Sequence, residues 1–287
     1  MSIEDVPDDC IVHIASFMDE KNFLNFIKSN KNIILYPFTL STNAYVWKNW
    51  TFTKYYSYIK DYIVNLKLKD WTVRKTTCIS GKELEELYIE GHSSNDKIIF
   101  NTPKLTILNI SNIVCNNIEF PLSIRILYVY RILFNNNITK LDNLEEIHIN
   151  SYDSNEFPLN IKKIFIGYRA NSNELYFNKY NKLEILSVSE VKKNDQFPES
   201  LKKLYIRGFM GDIDIKNVEE MQVEYIYHET QITKRSEKLK KLKIIECGRM
   251  PFEMLDAFPN LEELYINTRK RDKYHKTRSY TIMNNNE

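Results

Sequence analysis

The phrase Leu-x-x-Leu-x-Leu, with Ile, Val or Met able to replace Leu, recurs along most of this chain. It reads Leu84…Leu87…Ile89, Leu105…Leu108…Ile110, Ile124…Leu127…Val129, Leu144…Ile147…Ile149, Ile161…Ile164…Ile166 and Leu183…Leu186…Val188. It continues as Leu201…Leu204…Ile206, Val218…Met221…Val223, Leu239…Leu242…Ile244 and Leu261…Leu264…Ile266, with a fainter first copy at Ile63…Leu66…Leu68. Eleven copies starting between 63 and 261 give a period of about 20 residues. The alternation inside each copy is that of a short strand with one buried face. One unit buries about three apolar side chains, worth ~1.5–3 kcal/mol each. Ordering its backbone costs ~1–2 kcal/mol per residue. No unit can fold alone, so the copies must stack into one long parallel sheet with capped ends.

The first 50 residues do not follow the phrase. Pro7-Asp8-Asp9 suits a helix start, and Ile11, Ile14, Ala15 and Met18 follow at helical spacing. Asp19-Glu20 opens a second helix carrying Phe23, Leu24, Phe26 and Ile27, and a third contains Ala44 to Trp47. The spacing therefore predicts a small helical unit over 1–50, the repeats over 55–267 and a basic, disordered tail over 268–287. The helical unit is the natural cap at one end of the stack. Between the strands the returning segments are short, with a helical turn expected over Pro251–Phe258. Phe-Pro pairs at Phe120, Phe157, Phe197 and Phe258 precede strands, so Pro sets an extended entry and Phe fills the core.

The charges exclude some function classes. Residues 51–267 carry thirty basic and thirty acidic side chains, which argues against a nucleic-acid-binding stripe. Cys10, Cys78, Cys115 and Cys247 have no Cys-x-x-Cys spacing and fit buried thiols in a reducing compartment. The acidic N-terminus has no apolar signal core and no apolar run is long enough to span a membrane. The expected location is the cytosol or nucleus, not the secretory route. The six glycines form no phosphate loop, and the five histidines are too scattered to pair as metal ligands. The sequence therefore offers no catalytic residue, no metal site and no cofactor.

Residues 6–47 resemble an F-box. Val6-Pro7-Asp8-Asp9 stands for its opening Leu-Pro-x-Asp/Glu, Ile14-Ala15-Ser16-Phe17-Met18 for its Ile-Phe-Ser-x-Leu, and Trp47 for its closing Leu-Trp. Asn30 and Ile33 depart from the family pattern. Residues 63–266 resemble leucine-rich repeats, and Phe197-Pro198-Glu199-Ser200-Leu201 also resembles the FNIP-type variant. The usual asparagine ladder after the strand is missing; Ile113, Ile132, Val191, Phe209, Ile226 and Cys247 hold its place. The joint resemblance implies an α/β leucine-rich-repeat solenoid capped by a three-helix F-box. It implies a substrate receptor of an SCF-type, cullin–RING ubiquitin ligase, with an SKP-type adaptor and cullin reached through the F-box. Carried over by position, Val6, Pro7, Ile11, Ile14, Phe17, Met18, Leu24, Ile27 and Lys31 would contact the adaptor or pack behind the contact. A repeat scaffold or decoy that binds a protein without ubiquitination is the alternative.

The target would lie on the outward face of the sheet. Within each copy the residue before the second apolar position, the one after it and the one after the third all face out. These columns place Ile107, Ile126, Tyr128, Tyr130, Phe165 and Ile185 in an apolar, aromatic patch, with His148, Tyr205 and Arg207 beside it. Exposed patches of that kind mark partner sites. In the C-terminal half Lys203, Glu220, Lys241 and Glu263 alternate in sign and predict a cross-strand ion ladder.

Overall fold

The computed structural model describes residues 22, 38–43, 60–73, 77–93, 97–112, 117–130, 138–152, 156–169, 176–191, 195–209, 214–226, 235–247, 252–269 and 277–283. Apart from Asn22, which is helical, the expected F-box helices lie outside the described residues. So do the candidate adaptor contacts Val6, Pro7, Ile11, Ile14, Phe17, Met18, Leu24, Ile27 and Lys31. The chain divides into two compact units, Met1–Ile124 and Arg125–Glu287. The division falls inside the repeat array, not near residue 50 where the sequence pattern changes. A stack whose members touch only their neighbours can be parted at any strand pair.

The first unit contains β1 (Phe38–Asn43), β2 (Ile63–Val73), β3 (Thr77–Ser80), β4 (Glu86–Ser93), β5 (Lys97–Asn101), β6 (Ile107–Ser111) and β7 (Asn117–Glu119). Its main sheet runs β1-β2-β4-β6, all parallel. The returning segments pair as a second parallel sheet, β3-β5-β7, which buries Ile79, Ile98 and Ile118. Cys78 alternates with Ile79 and is exposed, which corrects the expected buried thiol at that position. The second unit contains β8 (Ile126–Tyr130), β9 (Glu146–Tyr152), β10 (Lys163–Arg169), β11 (Ile185–Val191), β12 (Lys203–Phe209), β13 (Glu220–Ile226), β14 (Lys241–Cys247), β15 (Glu263–Arg269) and β16 (Thr277–Met283). Strands β8 to β15 pair in sequence order and parallel.

The mostly parallel-strand repeat solenoid expected from the phrase is thus what the chain forms. The described repeats carry no α-helix, which corrects the α part of the expected α/β class for the repeats. The described returning segments carry short 3-10 turns, at Lys60–Tyr62, Ile138–Lys140 and Phe252–Ala257, ordinary turns or strands. A period of about 20 residues, once strand and turn are subtracted, leaves too little chain for a helix and its two connections. Residues 277–283, assigned from sequence to the disordered tail, form β16 and pair antiparallel with β15 over Glu263↔Met283 to Arg269↔Thr277. That strand covers the edge of β15, which would otherwise present unpaired backbone groups.

Every apolar residue of the phrase is buried except Leu261, which is half-buried. A further inward position lies three residues before the phrase. There Gly81, Thr102, Leu141, Pro158, Tyr180, Pro198, Ile215, Ser236 and Phe258 are buried. In eight copies the carbonyl at this position accepts the N–H of the first phrase residue, as Tyr180 does from Leu183 and Pro158 from Ile161. The Phe-Pro pairs therefore lead into a tight turn, not an extended entry. Phe258-Pro259 is offset by one residue: Phe258 occupies the place that Pro121, Pro158 and Pro198 hold in their copies. At Gly81 a Cβ would stand 2.8 Å from the Lys60 carbonyl oxygen, so only glycine permits that approach. Just after strand β6 comes Asn112, whose φ of 57° is the left-handed conformation that Asn tolerates.

Behind the sheet of the second unit, Tyr180 is fully buried, with Phe157 edge-on at 5.8 Å and Phe177 at 6.4 Å. Its hydroxyl accepts the N–H of Phe157 at 2.9 Å, which ties one repeat to the next. Tyr180→Phe should lower stability by ~1–3 kcal/mol through loss of that acceptor. Leu186→Ala should cost ~2–5 kcal/mol, and Glu199→Ala, on an exposed turn, no more than ~0.5 kcal/mol. Urea denaturation of the three variants checks this order.

Candidate functional site

Adjacent strands place like positions of the phrase side by side. The pairs Tyr128↔His148, His148↔Phe165, Phe165↔Ser187 and Ser187↔Tyr205 run across β8 to β12 without a shift. Neighbouring strands lie ~4.8 Å apart, so aromatic side chains in one such row must stack. Tyr128 and His148 have ring centroids 4.3 Å apart with planes at 24°, and His148 and Phe165 are 4.1 Å apart at 7°. The three rings form a rigid rib on the outward face of the second unit, and each is only half-buried. Tyr130, one outward position further along β8, is exposed.

The rib is fixed from one side by charge. Glu146 bonds His148 Nε2 at 2.7 Å through one carboxylate oxygen and accepts Lys163 Nζ at 2.8 Å through the other. Burial pushes the Glu146 carboxyl upward in pKa, but the bonds from His148 and Lys163 outweigh it and hold the group below the usual carboxylate value. The hydrogen bond that Lys163 donates to Glu146 holds its ammonium above its ordinary value. Burial, with Glu146 and Tyr130 adding to it, raises Tyr128.

The expected patch is thus brought together only in part. Tyr128, His148 and Phe165 form the rib. Ile126 and Ile185 do not join, because in their row Glu146 and Lys163 stand between them. Ile107 belongs to the first unit, opposite Glu86 on β4. Tyr205 lies two strands beyond Phe165 and bonds Glu220 Oε1 at 3.2 Å through its hydroxyl. Burial, followed by Glu220, raises the Tyr205 pKa. Arg207 is exposed, with its Nε 3.5 Å from Glu224.

The C-terminal charge ladder resolves into two pairs, Lys203–Glu220 at 2.7 Å and Lys241–Glu263 at 2.6 Å. A longer ladder went unread in the sequence. The residue after the first apolar position alternates through Arg125, Glu145, Lys162, Glu184, Lys202, Glu219, Lys240 and Glu262. Arg125 and Lys162 both reach Glu145, at 3.0 and 3.2 Å, and Lys202–Glu184 and Lys240–Glu262 are paired at 3.1 and 2.9 Å. Its signal was plain alternation of sign at the copy period, in a column that strand geometry alone does not mark as outward. Exposed pairs of this kind contribute only ~0–1 kcal/mol each.

Among the described residues no group of three or more His, Cys, Asp or Glu side chains could hold a metal ion. No described helix is long and apolar enough to cross a membrane. No family model matches the chain, and searches of curated proteins and of solved structures return no match.

The depressed Glu146 pKa gives a signed expectation. Its stabilising effect is complete above the unfolded value, roughly pH 4.3, and is lost as pH falls through the lower folded value. Glu146→Gln should therefore make the urea midpoint less dependent on pH below about 5 than in the wild type. An unchanged acid slope in the variant would show that the carboxylate is not held in this way.

Proposed function

We propose that this chain is a substrate-recognition subunit of a cullin–RING ubiquitin ligase. Residues 6–47 dock an SKP-type adaptor and the outward sheet face of the second unit holds the target protein. The observation that carries target binding is the rib of Tyr128, His148 and Phe165, three rings held in fixed stacking on a solvent-facing sheet. Prefixed aromatic side chains lose little entropy on binding and are frequent hot-spot residues. The ligase assignment rests on the F-box resemblance of Val6-Pro7-Asp8-Asp9, Ile14–Met18 and Trp47.

Such a subunit needs no catalytic group of its own. Holding a target lysine near the ubiquitin-carrying enzyme raises its effective concentration, and the transfer chemistry belongs to the partners. The rib is built entirely from β8, β9 and β10 and needs nothing from residues 1–50. That independence favours the second reading, a protein-binding scaffold or decoy without ubiquitination.

Affinity capture separates the two. The ligase reading expects the wild type to bring down an SKP-type adaptor, and Pro7→Ala and Ile14→Asp to lose it while keeping the target. Capture of a target with no adaptor would leave only the scaffold reading. Tyr128→Ala/Phe165→Ala should lose the target and keep the adaptor; identical partner sets from this variant and the wild type would remove the rib from both readings.

A further inference from the structure

Between the rib and Tyr205 the sheet surface drops. The outward residues of β11 are Ile185, Ser187 and Ser189. Ser187 is register-paired with Phe165 on one side and Tyr205 on the other, so a hydroxymethyl floor lies between two aromatic walls. Two strand spacings, ~9.6 Å, separate those walls, which is room for one extended peptide strand's side chains. On β10, two residues beyond Phe165, a Cβ at Gly167 would stand 2.8 Å from Asn150 Oδ1, so the Asn150 side chain covers that position and closes the floor there.

The charges around this trough are ordered. Lys163 and Lys203 flank Ile185 in one row, and Arg207 stands on β12 two residues beyond Tyr205. Their acidic partners all lie on the far side from β11: Glu146 on β9, and Glu220 and Glu224 on β13. A group placed over β11 is thus one strand from three cations and two strands from their three counter-ions. With a Debye length of ~8 Å at physiological salt, the nearer charges are felt more strongly than the farther ones. Glu190, exposed near the end of β11, bounds the trough there.

We propose that the trough along β11 receives an extended acidic segment of a partner protein. Its carboxylates would meet Lys163, Lys203 and Arg207, and its apolar or planar side chains would lie between Phe165 and Tyr205. This rests on the reading that the sheet face binds a protein, and it adds the chemistry of what is bound. Each Lys bonds its own glutamate through one of three N–H donors, so donors remain for an incoming carboxylate.

The test is fluorescence anisotropy with the full chain and three labelled peptides, alternating Ser with Glu, with Gln or with Lys. The Glu peptide should bind about tenfold more tightly than the Gln peptide at low salt, and the difference should shrink as salt rises. Lys203→Glu/Arg207→Glu should abolish that preference, whereas Lys241→Glu, on β14, should preserve it. Ser187→Trp fills the trough without changing charge and should also lose the Glu peptide. Circular dichroism verifies that each variant is folded, and should the charge reversal unfold the chain, Ser187→Trp still decides. Equal binding of the Gln or Lys peptide, equally tight binding of single-stranded oligouridylate, or a loss in Lys241→Glu matching the double variant would overturn the proposal. None of these readouts involves the adaptor. Failure here with adaptor capture intact removes the trough alone, and adaptor failure with peptide binding intact removes the ligase reading alone.

Discussion

One backbone contact governs the stack. In eight copies the carbonyl of the residue after the first apolar position accepts two N–H groups from the next copy, as Glu145 does from Lys162 and Lys163, and Lys202 from Glu219 and Glu220. A doubly engaged carbonyl leaves no freedom to slide. Slippage by one residue would also turn every buried Leu or Ile outward. Register is therefore set twice, by hydrogen bonds at the strand entry and by burial along it. The turn before the strand, closed in most copies onto the carbonyl three residues back, fixes where that entry begins.

Once register is fixed, the outward residues cannot choose their neighbours. Alternating acids and bases become ion pairs across the strands, and consecutive aromatic residues become a stack. The rib of Tyr128, His148 and Phe165 and the pair Glu146–Lys163 occupy parallel rows of the same three strands, so charge and aromatic surface are laid down side by side. A single small position in an aromatic row, Ser187 between Phe165 and Tyr205, opens a trough for the same reason. Recognition on such a face follows from which residue types happen to be aligned. No special loop or cavity is required.

Much of this was legible in the phrase. The inward residues, the parallel order and the outward columns all follow from a strict period with two-residue alternation. Other features depend on contacts that a linear pattern does not carry. The patch drawn from Ile126 to Ile185 is divided because Glu146 and Lys163 hold each other in the row between them. Tyr180 lies outside the phrase, yet it is fully buried, and its hydroxyl joins two repeats. The ladder from Arg125 to Glu262 lay outside the columns that alternation marks as exposed.

The sequence by itself determined the repeat, its period and the burial of the phrase's apolar side chains, because burial of one strand face is a local property of every copy. Only the tertiary structure decided the rest. The described returning segments became short turns and a small second sheet once the period left little length for helices. The final strand closed an edge that no periodic signal announces. The outward residues acquired partners only when neighbouring copies met in register. A contact between repeats some twenty residues apart is written in no single repeat, and it is there that the outward face is made.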